Sequence, residues 1–244
     1  MNTEEILNRL QDGGRLVTIE RIPIAMNLDE LMKVTISLGR QFTPLFEVDG
    51  ENIRAYTNAL KWLIADPTMQ ADHPNGNHVL PGDLSKGLLI CGGTGTGKSL
   101  LIEILNALAT VLTPRIKTYY KPTFQQGGRS AGYQEVPLLW RSYRADELTD
   151  SYQTKGELDK FKSITSIAIQ DIGTEPQEVL YMGTRCNVVR QVLESRADNK
   201  GLMTLATTNL TLDELGERYE ARVKSRLFSM FNFLFLGGRD RRLF

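Results

Sequence analysis

Eight consecutive residues, Gly92-Gly93-Thr94-Gly95-Thr96-Gly97-Lys98-Ser99, fill the pattern G-x-x-x-x-G-K-[ST]. A triphosphate is wrapped by successive backbone N–H groups, and glycines permit the backbone angles and the close approach this requires. In such a loop Lys98 reaches the β- and γ-phosphates of ATP. Ser99 offers its hydroxyl to Mg²⁺, and the start of the following helix adds partial positive charge. Phosphate chemistry also needs an oxygen ligand or base at the end of a neighbouring strand. Ser166-Ile167-Ala168-Ile169-Gln170-Asp171-Ile172-Gly173 supplies one in Asp171. A further run ends in Thr207-Thr208-Asn209, whose amide either orients the attacking water or caps a helix, and the two roles are compatible.

The elements that must position these groups follow from periodicity. The apolar run 87–91 predicts a strand directly before the glycine loop, and 98–112 predicts a helix directly after it. Further strands are expected at 137–143, 164–170, 202–208 and 230–236, with helices at 146–154, 186–198 and 217–229. Apolar strands alternating with helices imply a parallel sheet covered on both faces, with ligands at the carboxyl ends of the strands. Upstream, residues 3–10 read as a short helix. Asn27 is placed to cap a second, in which Leu28, Leu31, Met32, Thr35 and Ile36 follow helical spacing. An extended piece from 46 to 52 is turned by Asp49-Gly50. Ile53, Tyr56, Leu60, Leu63 and Ile64 then form an apolar helix stripe that reads as core and is stopped by Asp66-Pro67. Turn chemistry is densest over 66–83, which is taken as the domain boundary. The segment 113–136 breaks all periodicity through Gln-Gln-Gly-Gly-Arg-Ser-Ala-Gly. It reads as a surface loop, with a contact to DNA or a partner through Lys121, Arg129 and Tyr133 as the alternative.

Composition sets the outer bounds. The 244 residues with 41% hydrophobic content suffice for a sizeable core, and 29 basic residues balance 29 acidic ones. Any nucleic-acid contact must therefore come from a local patch. No apolar run approaches the roughly eighteen residues of a membrane span, and the acidic Met1-Asn2-Thr3-Glu4-Glu5 is unlike a secretory signal, so a cytoplasmic location is expected. Cys91 and Cys186 stand apart and read as reduced, buried thiols. His73 and His78 lie in a polar, turn-rich segment and read as exposed loop residues without a metal role.

The order of these motifs is specific. A phosphate loop, a strand ending in Asp-Ile-Gly-Thr-Glu, a Thr-Thr-Asn, then Gly216-Glu217-Arg218-Tyr219-Glu220-Ala221-Arg222-Val223-Lys224-Ser225-Arg226-Leu227 and a terminal Gly-Arg-Asp-Arg-Arg resemble the AAA+ ATPases of the DnaC/IstB type over residues 84–244. That resemblance implies an α/β fold: a three-layer parallel-sheet P-loop core of AAA+ RecA-like type. About eight residues follow the last predicted strand, too few for the C-terminal helical lid of most AAA+ proteins, and the family is similarly lidless. Residues 1–80 would form a small N-terminal helical region that binds the partner. Position by position, Gly92 to Ser99 matches the Walker A loop, Asp171 lies in the Walker B segment, and Asn209 matches the sensor-1 residue. Arg222 matches the arginine finger offered to the nucleotide of the next subunit, with Arg226 its companion. Arg242 best matches sensor 2, with Arg239 and Arg241 as alternatives. Two departures stand out. Residues 1–80 contain no cysteine, whereas well-known loaders can carry a zinc site there. Relatives also have two consecutive acidic residues ending the Walker B strand. Aligning on Gly173 puts the neutral Gln170 at the first, metal-facing position and Asp171 at the second, catalytic one. A one-residue shift would instead give Asp171 to Mg²⁺ and leave Ile172 at the base position.

Three functions compete. The first is a replicative-helicase loader that binds the helicase through 1–80, forms ATP-dependent homo-oligomers through Arg222 in trans, and holds single-stranded DNA. The second is a transposition helper acting on duplex DNA. The third is a metabolite kinase, disfavoured by the arginine signature and by the absence of an evident acceptor-binding domain.

Overall fold

A computed structural model describes residues 2–12, 19–76, 78–120 and 132–241. The chain begins with α1 (Thr3–Asp12), β1 (Glu20–Arg21), α2 (Leu28–Phe42), α3 (Ile53–Leu63), β2 (Gln70–Asp72) and β3 (Val79–Pro81). The strand β4 (Gly87–Cys91) leads into α4 (Lys98–Leu112), β5 (Arg115–Tyr120), β6 (Gly132–Pro137), β7 (Arg141–Arg144), α5 (Ala145–Lys155) and α6 (Asp159–Ser163). After β8 (Ser166–Ile172) come β9 (Val179–Tyr181), β10 (Thr184–Cys186), α7 (Val188–Asp198), β11 (Met203–Thr208), α8 (Leu212–Met230) and β12 (Phe231–Phe235).

Seven strands form the central sheet in the order β3-β2-β12-β4-β11-β8-β7. The pairs β12·β4, β4·β11, β11·β8 and β8·β7 are parallel, whereas β2 runs antiparallel to β12 and to β3. The parallel strands alternate their buried side chains between two apolar clusters. Leu88, Ile90, Ala168 and Leu205 pack with α2, α3 and α4 on one face, while Leu89, Ile167, Ile169 and Ala206 pack with α5, α7 and α8 on the other. Covering both faces with helices makes the expected three-layer α/β core.

The strand that carries the glycine loop and the helix after it lie where the sequence placed them. Turn-rich residues 66–83, expected as a boundary, instead hold β2 and β3, which extend the central sheet. The stripe Tyr56, Leu60 and Leu63 of α3 lies in the same cluster as Ile90 and Leu101. Trp62 donates its indole N–H to Lys86 O at 2.8 Å, and the Asp72 carboxylate accepts the Phe235 N–H at 2.7 Å. Much of the segment 113–136 is also ordered, as the antiparallel pair β5·β6 with β1 added beside β5. Ile116 and Thr118 alternate inward along β5, and the polar residues between them hid that period. Lys121 and Arg129 lie outside the described residues, whereas Tyr133 lies on β6 with the Lys117 ammonium 5.7 Å from its ring centroid. Among the described residues no helix is long and apolar enough to cross a membrane.

Candidate nucleotide site

The glycine loop leaves the carboxyl end of β4, where Cys91 stands beside Thr208 of β11. Gly95 and Gly97 adopt φ of 76° and 96°, the left-handed region in which a side chain would be strained. Gly97 is also the N-cap of α4, so the loop turns straight into the helix and aims its first N–H groups at the loop's concave side. Lys98 is buried and donates from Nζ to the carbonyl oxygens of Gly92 at 2.9 Å and Gly93 at 2.7 Å. Thr96 closes the loop by donating its hydroxyl to Gly93 O at 3.0 Å. Ser99 is half-buried in the first turn of α4, and its hydroxyl bonds to no other group among the described residues. The loop thus offers a lysine and a row of amide donors to an anion, with a hydroxyl beside them for a cation.

The acidic side of the site is built by the ends of β8 and β11. Strand alternation puts Gln170 on the same face as Ala168, the face that α4 covers, while Ile169 and Ile172 are fully buried on the other. A one-residue shift of the motif would therefore place the base position inside an apolar cluster. Asp171 departs from strand geometry with φ of 57°, and the β11·β8 register shifts at the same level, between Ala206 and Thr208. Its N–H is taken by the Thr207 hydroxyl at 2.8 Å, and the same hydroxyl lies 3.5 Å from Asp171 Oδ1. Thr208 fixes the next turn by donating its hydroxyl to Ile172 O at 2.9 Å. Asn209 is exposed just beyond β11, without a hydrogen bond among the described residues. Arg144 stands opposite Gln170 in the β7·β8 register. Its guanidinium is held protonated by Asp146 first and by Asp171 in addition. Among the described residues no group of three or more His, Cys, Asp or Glu side chains could hold a metal alone. The donor set suits Mg²⁺ bound jointly with phosphates, because Ser99, Gln170 and Asp171 offer few ligands of their own.

The C-terminal segment borders the loop. Leu236 continues the β12·β4 pairing by donating its N–H to Cys91 O at 2.7 Å, and the Arg241 N–H reaches Gly95 O at 3.0 Å. A Cβ on Gly95 would stand 1.8 Å from the Asp240 carboxylate, which is why that position has no room for a side chain. Arg241 turns its guanidinium away from the loop, to Asp49 at 2.7 Å and Glu47 at 3.8 Å. Arg241, one of the sensor-2 alternatives, is thus engaged in an ion pair within its own chain. Arg239 is exposed, and Arg242 lies outside the described residues.

The helix α8 starts at Leu212, earlier than expected, because Thr211 and Glu214 form a capping box. It breaks at Glu220, with φ of 73° and ψ of 155°, where the carboxylate pairs with Arg190. Beyond the break Arg222 is exposed and has no partner among the described residues. Arg226 differs, since it donates to Glu194 O at 2.7 Å and meets Asp198 at 2.8 Å, a clamp between α8 and α7. Its expected place beside Arg222 as a companion in trans is thus taken by an intramolecular task. Both cysteines are free and buried, and burial pushes the Cys91 thiol up to about 12. His73 and His78 stack at 4.3 Å on the β2·β3 hairpin, with His73 half-buried.

Three residues of this region were invisible as site residues. In the sequence Thr207 is only part of a strand end, and no local pattern marks Arg144 or Glu175. The repeated threonines at a strand end and a glutamate two residues after Gly173 were the available signals.

No protein-family profile and no curated protein sequence matches the chain. Similar solved structures include that of the DnaC helicase loader, at 14% identity and TM-score 0.48, covering 80% of this chain and 95% of that one. DnaI is similar at 17% identity and TM-score 0.46, covering 80% and 89%. The replication initiator DnaA bound to AMPPCP and single-stranded DNA is similar at 12% identity and TM-score 0.45, covering 79% and 49%.

Proposed function

We propose that this chain is an AAA+ ATPase of the DnaC/IstB type that loads a replicative helicase, with ATP binding driving assembly of like subunits around single-stranded DNA. The observation that carries the reading is the pairing of a complete phosphate loop with Arg222, an exposed arginine with no partner among the described residues of its own chain. An arginine that neither pairs nor packs at home is suited to meet the phosphates of a second copy.

The roles follow from placement. Lys98 exchanges the carbonyls of Gly92 and Gly93 for the β- and γ-phosphates, and the backbone from Gly93 to Ser99, with Thr94 and Thr96 between the glycines, wraps the triphosphate. Mg²⁺, when bound, would supply positive charge against the phosphates. Ser99 and Gln170 would hold that ion, Gln170 without a compensating charge. Asp171 polarises the attacking water, Asn209 orients it, and Arg242 remains the sensor-2 assignment. Because an amide binds Mg²⁺ less strongly than a carboxylate, hydrolysis is slow and ATP serves chiefly as an assembly switch. Residues 1–80 contact the helicase. Val34, Phe42 and Leu45, exposed by 51%, 48% and 71%, support an apolar contact there.

The test mixes two inactive variants. Lys98→Ala lacks a working loop and Arg222→Ala lacks the finger, so mixed oligomers should recover part of the ATPase activity. No recovery at any ratio, with mixing confirmed, refutes action in trans. Single-stranded DNA should bind more tightly with ATP than without, with an affinity that falls as salt rises. A preference for duplex DNA at the same salt would indicate a transposition helper instead.

A further inference from the structure

Glu175 is a carboxylate with 4% of its surface exposed, two residues beyond Gly173, and the roles above leave it unused. Its Oε2 accepts the Gly173 N–H at 2.8 Å. Its Oε1 accepts the hydroxyl of Tyr219, which is fully buried in α8, and lies 3.4 Å from Arg218 Nε. The Glu175 carbonyl accepts a second bond from Arg218 Nη2, and Gln177 donates to Arg218 O at 3.3 Å. On the other side, Thr174 returns to Asp171 O with its N–H at 3.2 Å and its hydroxyl at 2.8 Å. The short turn 171–175 therefore ties the Asp171 backbone to Tyr219, the residue immediately before the helix break at Glu220. Arg222 follows three residues after Tyr219.

A carboxylate inside an apolar cluster persists only when its oxygens are satisfied, so this group fixes the turn and the helix as one unit. The cluster on that side comprises Leu215, Tyr219, Val223 and Leu227 of α8 with Ile172 of β8, and packed side chains of that kind shift together. Burial first, and the neighbouring Glu175 charge second, push the Tyr219 hydroxyl well above its ordinary range and keep it a donor.

We propose that Glu175 is a positioning residue that transmits the state of a subunit's own nucleotide site, through Gly173 and Asp171, to the finger Arg222 that the subunit presents to its neighbour. The inference rests on the ATPase reading above. It adds that the two functions of one subunit, holding its own ATP and serving the next, are coupled through a single buried carboxylate.

The first measurement does not depend on Arg222 acting in trans. Arg222→Cys in the full chain is labelled with an environment-sensitive dye, which the buried Cys91 and Cys186 leave selective. Adding ATP and Mg²⁺ to dilute protein should shift the dye emission. Adding Glu175→Gln should abolish most of the shift while changing nucleotide affinity less than about threefold, because an amide cannot accept from both Gly173 and Tyr219. An unchanged shift in Glu175→Gln, or no shift in the parent, overturns the proposal whatever the fate of the finger assignment. The second measurement uses mixed oligomers. Glu175→Gln should lose about tenfold or more in turnover alone, recover with Asp171→Asn, which keeps the phosphate loop and so presents a sound finger while lacking the group that polarises the water, and fail to recover with Arg222→Ala. Recovery with Arg222→Ala but not with Asp171→Asn would show that Glu175 serves only its own site and overturn the coupling. Should Glu175→Gln fold poorly by thermal melting, Tyr219→Phe removes only the hydroxyl and is held to the same outcomes.

Discussion

Thr207→Val exchanges a fully buried hydroxyl for a methyl of similar volume and removes the acceptor of the Asp171 N–H at 2.8 Å. An unsatisfied buried donor costs about 1–3 kcal/mol. Asp171 is half-buried at a strand end, so water can reach the orphaned N–H after a small shift, which holds the cost near the lower part of that range, about 1–2 kcal/mol. At roughly 2–4 °C per kcal/mol for a chain of this size, melting should fall by about 2–8 °C. The functional effect is larger, because Asp171 already holds a φ of 57° that the surrounding bonds must maintain. Releasing it displaces the carboxylate, and a misplacement of about 1 Å costs up to ~100-fold in turnover. Affinity for a fluorescent ATP analogue should change less than about threefold, since no hydrogen bond joins Thr207 to the loop 92–99 among the described residues. Thr207→Ser keeps the acceptor and should turn over nearly as wild type. Wild-type turnover in Thr207→Val would refute the reasoning, and equal loss in the Ser and Val variants would assign the effect to packing of the methyl.

Gln170→Asp should strengthen Mg²⁺-dependent nucleotide binding and raise turnover, measured by titration at varied Mg²⁺ and by phosphate release; no change in either removes Gln170 from the metal's side. Asp49 lies below its ordinary range, because hydrogen bonds from Arg241 and from the Glu51 N–H outweigh the upward push of burial. A carboxyl lowered on folding stabilises fully above its unfolded value near 3.8 and loses that effect as pH falls through the folded value. The melting difference between wild type and Asp49→Asn should therefore be present at neutral pH and shrink near pH 3, and a difference that grows on acidification would contradict the pair. Arg196 is 1% exposed and gives its hydrogen bonds to Thr204 Oγ1 and to the carbonyls of Phe161, Ile164 and Met203, with burial lowering its pKa to about 9. Arg196→Met should destabilise by about 2–4 kcal/mol in urea unfolding, since the acceptors it abandons outweigh the relief of an unpaired charge. A neutral or stabilising result would reverse that balance.

The sequence by itself determined the glycine loop, the strand before it and the helix after it. Backbone freedom at Gly95 and Gly97 and apolar periodicity in Leu100 to Leu112 are local properties that no tertiary contact needs to supply. It also marked Asp171 and Arg222, through residue type and order. Only the tertiary structure decided what depends on partners distant in the chain. Arg226 and Arg241 look like Arg222 in sequence, yet the Asp198 carboxylate and the Glu194 backbone carbonyl engage the first and the Asp49 carboxylate the second, because the fold brings these acceptors within about 3 Å of the guanidinium groups. Turn-rich residues 66–83 carry every local sign of a linker. They fold into the sheet because Asp72 accepts the Phe235 N–H and Trp62 reaches Lys86, contacts between segments far apart in sequence or across turns that local propensity does not encode. Glu175 is the clearest case. A glutamate in a loop reads as solvated surface, and its burial exists only because α8 brings Tyr219 and Arg218 onto it from more than forty positions away.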